Sequence, residues 1–424
     1  MKIFSYFAIA AGIRYALYKH SFDLLKNRVE ISTPVNAHKR LLEGVFLYNR
    51  GYDPYYGDIV HEPPFVLIIL AWIINNFPKI LPLAYIIADL VTGLILSMTS
   101  KFFCDAKIEK QVQEKHKYAP GTEKTIQFDE KDKDIIPHYI LISYFFNPFA
   151  IINCAALTST VFSNLFLALF MYFLSKKNSF CLIFLAFETT RNFYAFALIT
   201  TVFATLQKPT LFKYIAVFFS FVTILTSFIF INFFLNKSNW SFINSTIAFT
   251  FFYQDLQPNI GLFWYFFTEM FEHFRTMFLI TFQMNATVLY LIPLSFRLRE
   301  DSVKLATVLI ALMAIFKSYP CLGDVSLYLS LLPIWKQCWK FMAHNFVVFC
   351  FFLINILIMP ALWHLWIYCG SANANFYFGA TLAFSTGQIF LVTDLLFAYA
   401  KLEFCLKHGE KIFAGGKEAK IVLE

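Results

Sequence analysis

The stretch RVEISTPVNAHKRLLEGVFLYNRGYDPYYGDIVHEPP, residues 28–64, decides how this chain is read. It is polar, basic and aromatic, and it lies between two apolar runs, Ile3 to Tyr18 before it and Pro63 to Phe77 at its end. It therefore reads as a loop held at a membrane surface. Its acids are sparse where chemistry would need them close. Glu30 stands alone, and Ser32 occupies the place where a partner carboxylate would complete a pair. Holding a metal, or acting as base on a phosphate-linked substrate, calls for two neighbouring carboxylates. The loop is laid out for binding rather than for reaction.

Working outward, hydrophobic residues make up 58% of the 424 residues, 55 of them Phe, and mean hydropathy is +0.60. That composition excludes an ordinary soluble domain. A crossing takes about 20 apolar residues, and the apolar runs supply about 12 transmembrane helices. The chain is thus expected to be an all-α polytopic membrane protein, a single transmembrane domain over residues 1–424. The first run carries Arg14 and has no small-residue cleavage site, so it reads as a retained anchor. The net charge of +8 is positive-inside bias, and no nucleic acid is implied as partner. Cys154, Cys181, Cys338 and Cys350 fall inside apolar runs as small hydrophobes. Cys321 and Cys369 lie in separate short loops and would pair only if the fold brought them together. With no metal-ligand spacing and no Walker, zincin, GxSxG or Gly-rich nucleotide motif, no metal and no cofactor is expected.

Two marks orient the chain: Lys/Arg clusters for the cytosol and N-glycosylation sequons for the lumen. Residues 104–137 form the long charged loop and are placed in the cytosol. Residues 236–246, NKSNWSFINST, hold sequons at Asn236, Asn239 and Asn244, which places residues 236–275 in the lumen. That loop closes with an aromatic interfacial helix, NIGLFWYFFTEMFEHF (259–274). Loop one, residues 19–79, is luminal, with an amphipathic helix at about Val35 to Tyr48 and a re-entrant one from Pro63 to Phe77. Parity then allows one crossing, Ile80 to Phe103, before the charged loop. Two spans follow in 137–175 and a short hairpin in 179–206, broken by Glu188 and Arg191. The rest lie at about 211–235, 276–296, 303–316, 325–339, 345–367 and 376–400, leaving a cytosolic tail KLEFCLKHGEKIF. Asn285 falls within a span.

Charges at membrane depth are costly, so they face protein or water. Here the polar residues gather at the luminal ends. Those best placed to line a cavity for a lipid with a large polar head are Asn373, Asn375, His364, Asp324, Tyr319, Arg28, His61, Glu269 and His273. Amides suit hydroxyls, Asp324 an ammonium, and Arg28 a phosphate. Asp324 can also cap the helix that follows it. The bland reading makes such residues interface anchors and packing pairs, Glu188 with Arg191 among them. No residue is assigned a catalytic role.

Loop one is similar to the first luminal loop of polytopic ER glycosyltransferases that use dolichol-linked sugars, the GT-C scaffold, whose paired acids it lacks. Three further stretches resemble the signatures of the PIG-U family: NIGLFWYFFTEMFEHF, IFKSYPCLGDVSLYLSLLP and WHLWIYCGSANANF. RVEISTP and GYDPYYGDIVHEPP extend the likeness, which is weakest in 104–137 and around 175–250. The resemblance implies a non-catalytic subunit of the GPI transamidase, a multi-pass protein of the endoplasmic reticulum membrane that holds the GPI glycolipid. Its partners would be the other transamidase subunits, including the cysteine-protease-like one that performs the chemistry, together with ER membrane lipids. Because Asp53, Asp58 and Glu62 remain near loop one, an active GT-C mannosyltransferase of GPI biosynthesis stays open as an alternative. A lipid transporter or scramblase is the third reading, though no repeat symmetry is found.

Overall fold

The computed structural model describes residues 2–206 and 210–410, and two short strands at Ile412–Ala414 and Lys417–Ala419. Apart from that hairpin the fold is all helical. Among the described residues four helices are long and apolar enough to cross a membrane: Pro78–Gln113, Leu211–Leu235, Glu272–Arg297 and Asn345–Ile367. A fifth crossing is available if Asp132–Phe145 and Pro148–Ala155 act as one span bent by 45°. The bend has a local cause, because Pro148 can neither donate to the preceding turn nor continue it, and Asn147 caps the new helix through Phe149 N–H at 3.0 Å.

A buried ion pair joins the first helix to the next crossing. Arg14, on Lys2–Leu25, donates to Asp89 at 2.6 Å and to the Phe145 carbonyl at 2.9 Å, and Tyr144 donates to the other Asp89 oxygen at 2.9 Å. Each charge thereby gives the other a partner at a depth where neither could stand alone. Gly93 lets the helices close over this pair, since a Cβ there would lie 2.7 Å from the Phe145 ring. Leu81–Gln113 packs against Asp132–Phe145 and Thr160–Ser175, and Asn345–Ile367 lies along Ala374–His408.

The connecting segments sort into two ends. At one, loop one meets the sequon loop: Asn239 and Ser241 both donate to Asp53, at 3.0 and 2.8 Å. At the other, the charged segment meets the later turns through Lys110–Glu300 at 2.5 Å, Lys336–Asp132, and the Ala119 N–H to the Leu406 carbonyl at 2.8 Å. Loop one contains the helix His38–Asn49 and then Pro64–Asn76.

Several segments depart from the sequence reading. The interfacial helix expected over 259–274 is broken: Phe263–Glu269 ends at the extended Met270, and Glu272 already opens the next helix. The helix from Leu81 continues to Gln113, so the charged segment begins as helix, because DAKIEKQVQ is made of good helix formers without Gly or Pro. Helix Ala374–His408 likewise extends into the basic tail and ends at Gly409, whose φ of +88 stops it. The expected span at 325–339 is a short helix, Leu322–Ser330, continued by a 3₁₀ segment, Leu332–Phe341, that opens with Leu332-Pro333.

Candidate functional site

The loop-one end holds a narrow polar cleft, about 500 Å³ including the space continuous with solvent, lined among others by Thr33, Asn36, Glu62, Ser163, Arg191, Lys317, Tyr319 and Asp324. Five segments of the chain meet there. Asn36 donates to Thr160 at 2.8 Å and its carbonyl accepts from Ser159 N–H at 3.1 Å, tying loop one to the polar break in 158–164. The Glu30 carbonyl accepts from Leu322 N–H at 2.9 Å, tying loop one to the turn that precedes Leu322–Ser330. Asn164 donates to the Gly323 carbonyl at 2.9 Å, and only glycine fits at 323, since a Cβ would lie 2.5 Å from the Asn153 amide carbon.

The charges of the cleft are paired. Arg191 forks onto Glu62 at 2.8 and 3.0 Å, and donates to Ser163 at 3.0 Å and to the Ser159 carbonyl at 3.1 Å. The sequence pairs Arg191 with Glu188 instead. That contact is longer, 3.6 Å, because helix Cys181–Arg191 ends at Arg191 and its side chain swings across to loop one, where Glu62 accepts both arms of the guanidinium. Lys317 lies 2.7 Å from Asp324, and burial works against its charge but Asp324 holds the ammonium above the ordinary lysine value. Asp324 is doubly engaged, for its second oxygen accepts from Cys321 N–H at 2.8 Å and caps the helix, as the sequence suggests.

Arg28 and Glu30, expected respectively to meet a phosphate and to stand alone, bond each other at 2.9 and 3.1 Å. They lie two residues apart in a turn, and pairing is how Glu30 tolerates being buried. His61 is buried as well. A carbonyl only accepts and a guanidinium only donates, so Nδ1–H donates to the Ser245 carbonyl at 2.6 Å and Nε2 accepts from Arg40 at 3.1 Å. Burial first, and Arg40 with it, pushes the imidazole down to about 4. Arg40 also bonds Asp255 at 2.5 Å, and Phe249 stacks between His61 and Tyr319 at ring distances of 3.6 and 5.3 Å. The Tyr319 hydroxyl donates to the Asp255 carbonyl at 3.0 Å.

Beside the cleft a wider basin opens, about 1410 Å³ including the space continuous with solvent. Lys26, Lys39 and Arg40 line it together with Glu43, Asp58 and Asp255 and with Asn27, Gln254 and Gln257. Of the three acids remaining near loop one, Glu62 is bound to Arg191, Asp53 to the sequon loop, and Asp58 lines this basin.

The other candidates lie elsewhere. Asn373 caps Ala374–His408 through Asn375 N–H at 3.1 Å, and the Asn375 amide oxygen accepts from Tyr265. His364 is exposed and stacks on Tyr368; Glu269 and His273 are exposed too. An aromatic group of Trp264, Trp363, Trp366 and Tyr377 packs beneath this tip. Cys321 and Cys369 are both free, the first buried beside Thr160 and the second exposed. Sequence reasoning passed over Lys317 and Ser163 as members of the site. Lys317 sits inside IFKSYP, a charge at the edge of an apolar run, which is the signal that could have singled it out.

The family described as GPI transamidase subunit PIG-U matches residues 8–384. The chain is 36% identical to the human GPI-anchor transamidase component PIGU over 98% of both chains. It is 28% identical to the GPI transamidase component GAB1 homolog of Schizosaccharomyces pombe, covering 91% of this chain and 90% of that one. With GPI transamidase component GAB1 of Saccharomyces cerevisiae the identity is 24%, over 90% and 89%. The chain belongs to the PIG-U family.

Proposed function

We propose that the chain is a non-catalytic membrane subunit of a GPI transamidase in the endoplasmic reticulum, and that it holds the GPI glycolipid for attachment to protein C-termini. One observation carries the non-catalytic part. Glu62 and Asp324, the acids that line the cleft, are each committed to a neighbouring cation, as is Glu30 in the loop beside it. A transferase needs a carboxylate free to take a proton or a metal. Fixed ion pairs instead make a rigid polar floor, and the basin beside it offers cations for phosphates, acids for ammonium groups and amides for hydroxyls. The scaffold would be GT-C-like with about 12 crossings, short and broken helices completing the count. Loop one (19–79) and residues 236–275 would face the lumen, residues 104–137 the cytosol. The acyl chains would lie along the Phe-rich helix surfaces that the chain alone leaves exposed, those of Leu211–Leu235 and Asn345–Ile367.

The test is purification of the tagged full chain from detergent-solubilised ER membranes. Other transamidase subunits and GPI precursor should come with it. Recovery of the chain without either overturns the assignment to the complex. Mannosyl transfer from a dolichol-linked donor by the purified chain alone would overturn its non-catalytic part.

A further inference from the structure

Three sequons sit in one loop, and the fold treats their amides differently. We propose that this loop carries one N-linked glycan, on Asn244, and that Asn236 and Asn239 stay unmodified. The reaction joins the Asn Nδ2 to the anomeric carbon of a lipid-pyrophosphate-linked oligosaccharide; an amide proton is lost and the lipid pyrophosphate leaves. A glycosylated amide therefore keeps one hydrogen instead of two.

Asn236 cannot spare one. Its Nδ2 donates to both the Asn239 carbonyl and Ser241 Oγ, each at 3.0 Å, closing a turn in which Lys237 and Ser238 hold φ of +55 and +59. It is also the residue directly capping Leu211–Leu235, so it stands at the membrane end of that helix with no chain to reach an enzyme above the surface. The Asn239 amide docks on loop one: Nδ2 donates to Asp53 at 3.0 Å, and Ser241, the hydroxyl of the same sequon, donates to the same oxygen at 2.8 Å. Trp240 between them is stacked on Phe233 at 4.3 Å. A sugar on Asn239 would have to enter that contact.

The Asn244 amide is free of such duties, although Thr246, the hydroxyl of its sequon, is buried and bonded. Asn244 is exposed at the start of the π-helical turn Asn244–Ala248, and its side chain makes no hydrogen bond among the described residues. The inward face of the turn belongs to Ser245 and Thr246, which are buried and bonded to the Tyr55 and Phe242 carbonyls at 3.1 and 2.7 Å. A glycan on Asn244 leaves all of these bonds in place. It would also mark this face as one that no partner subunit covers.

The inference rests on the luminal placement of the loop. The full chain is expressed in cells with Asn236→Gln, Asn239→Gln and Asn244→Gln singly, and treated with endoglycosidase H. The wild type and the first two variants should each lose one glycan step, and Asn244→Gln should show none. A step that survives in Asn244→Gln, or its absence from the wild type, overturns the assignment. Ser238→Cys in a Cys369→Ser background, probed in intact microsomes with a membrane-impermeant maleimide, separates the two grounds of failure. Labelling overturns the luminal placement itself; no labelling together with no glycan overturns only the choice of Asn244.

Discussion

Glu62 and Asp324 in the cleft, and Glu30 beside it, each lie against a cation contributed by the same fold, whereas His364, Asn373 and Asn375 at the tip of the last two helices are exposed. The sequence proposes Asp324 and the three tip residues for one head-group site. Their physical situations differ: residues of the cleft hold the chain together, so changing them should be felt first in stability, while residues of the tip can be changed with the fold intact and report on binding. A residue that reads out in the wrong column breaks this division.

The largest effect is expected at Arg191. Its side chain is buried against an equally buried Glu62, and removing one member of such a pair costs about 3–5 kcal/mol, because the other charge is left unpaired in a poorly solvated place. Arg191→Met should sharply lower the amount of folded chain and its melting temperature in detergent. Adding Glu62→Gln should recover part of the loss, since Glu62 then carries no lone charge, while Glu188, 3.6 Å from Arg191, still loses its cation. If the double variant is as unstable as the single one, the pair is not a unit and the cleft is held by other bonds.

Acid should loosen the same end. The folded-state value of His61, about 4, lies below the ordinary 6.5, so between the two the unfolded chain binds a proton that the folded one refuses. Stability is then fully present above about pH 6.5 and drains as pH falls toward 4, by up to about 3 kcal/mol at 1.36 kcal/mol per pKa unit. His38, also pushed down to about 4 by burial and by Lys26, adds a loss of the same sign. His61→Gln keeps a donor and an acceptor without the titration, so its thermal stability should fall less between pH 7 and pH 5. Parallel curves for variant and wild type would show that the proton goes elsewhere.

Asp324 tests how the cap and the ion pair share one side chain. Asp324→Ala removes the acceptor for Cys321 N–H and the partner of Lys317, and losses of this kind cost about 1–2 kcal/mol. Asp324→Asn keeps a carbonyl for the cap and gives up only the charge, so its melting temperature should fall between those of Ala and wild type. Equal losses would mean that the charge contributes everything.

The helical, membrane-bound character of the fold was legible because about 20 successive apolar residues admit few other readings. The cap at Asp324 was legible too, for it depends on neighbours three residues apart. Pairings across long separations were not. Arg191 and Glu188 are three residues apart and invite pairing, yet Glu62, 129 residues away, takes the guanidinium. Asp89 lies within the crossing read from Ile80 to Phe103, and its partner Arg14 comes 75 residues earlier in the chain. Local spacing shows that a charge needs a partner; only the packing of helices says which one.

The smallest effect on stability, and the sharpest on function, is expected at Asn375. It is exposed, and its side chain makes a single bond, to the half-exposed Tyr265, so a change there should move stability by no more than about 0.5 kcal/mol. Asn375→Lys replaces an amide that can serve sugar hydroxyls with a cation that cannot accept a hydrogen bond, beside the Trp and Tyr cluster where a glycolipid head would leave the membrane. The purified complex should contain its usual subunits and melt normally, but carry several-fold less GPI precursor. Quantifying lipid per complex by mass spectrometry decides the matter. Equal lipid in variant and wild type would move the head group away from the tip and toward the basin over loop one, where Lys39→Glu should then lower lipid binding in its place.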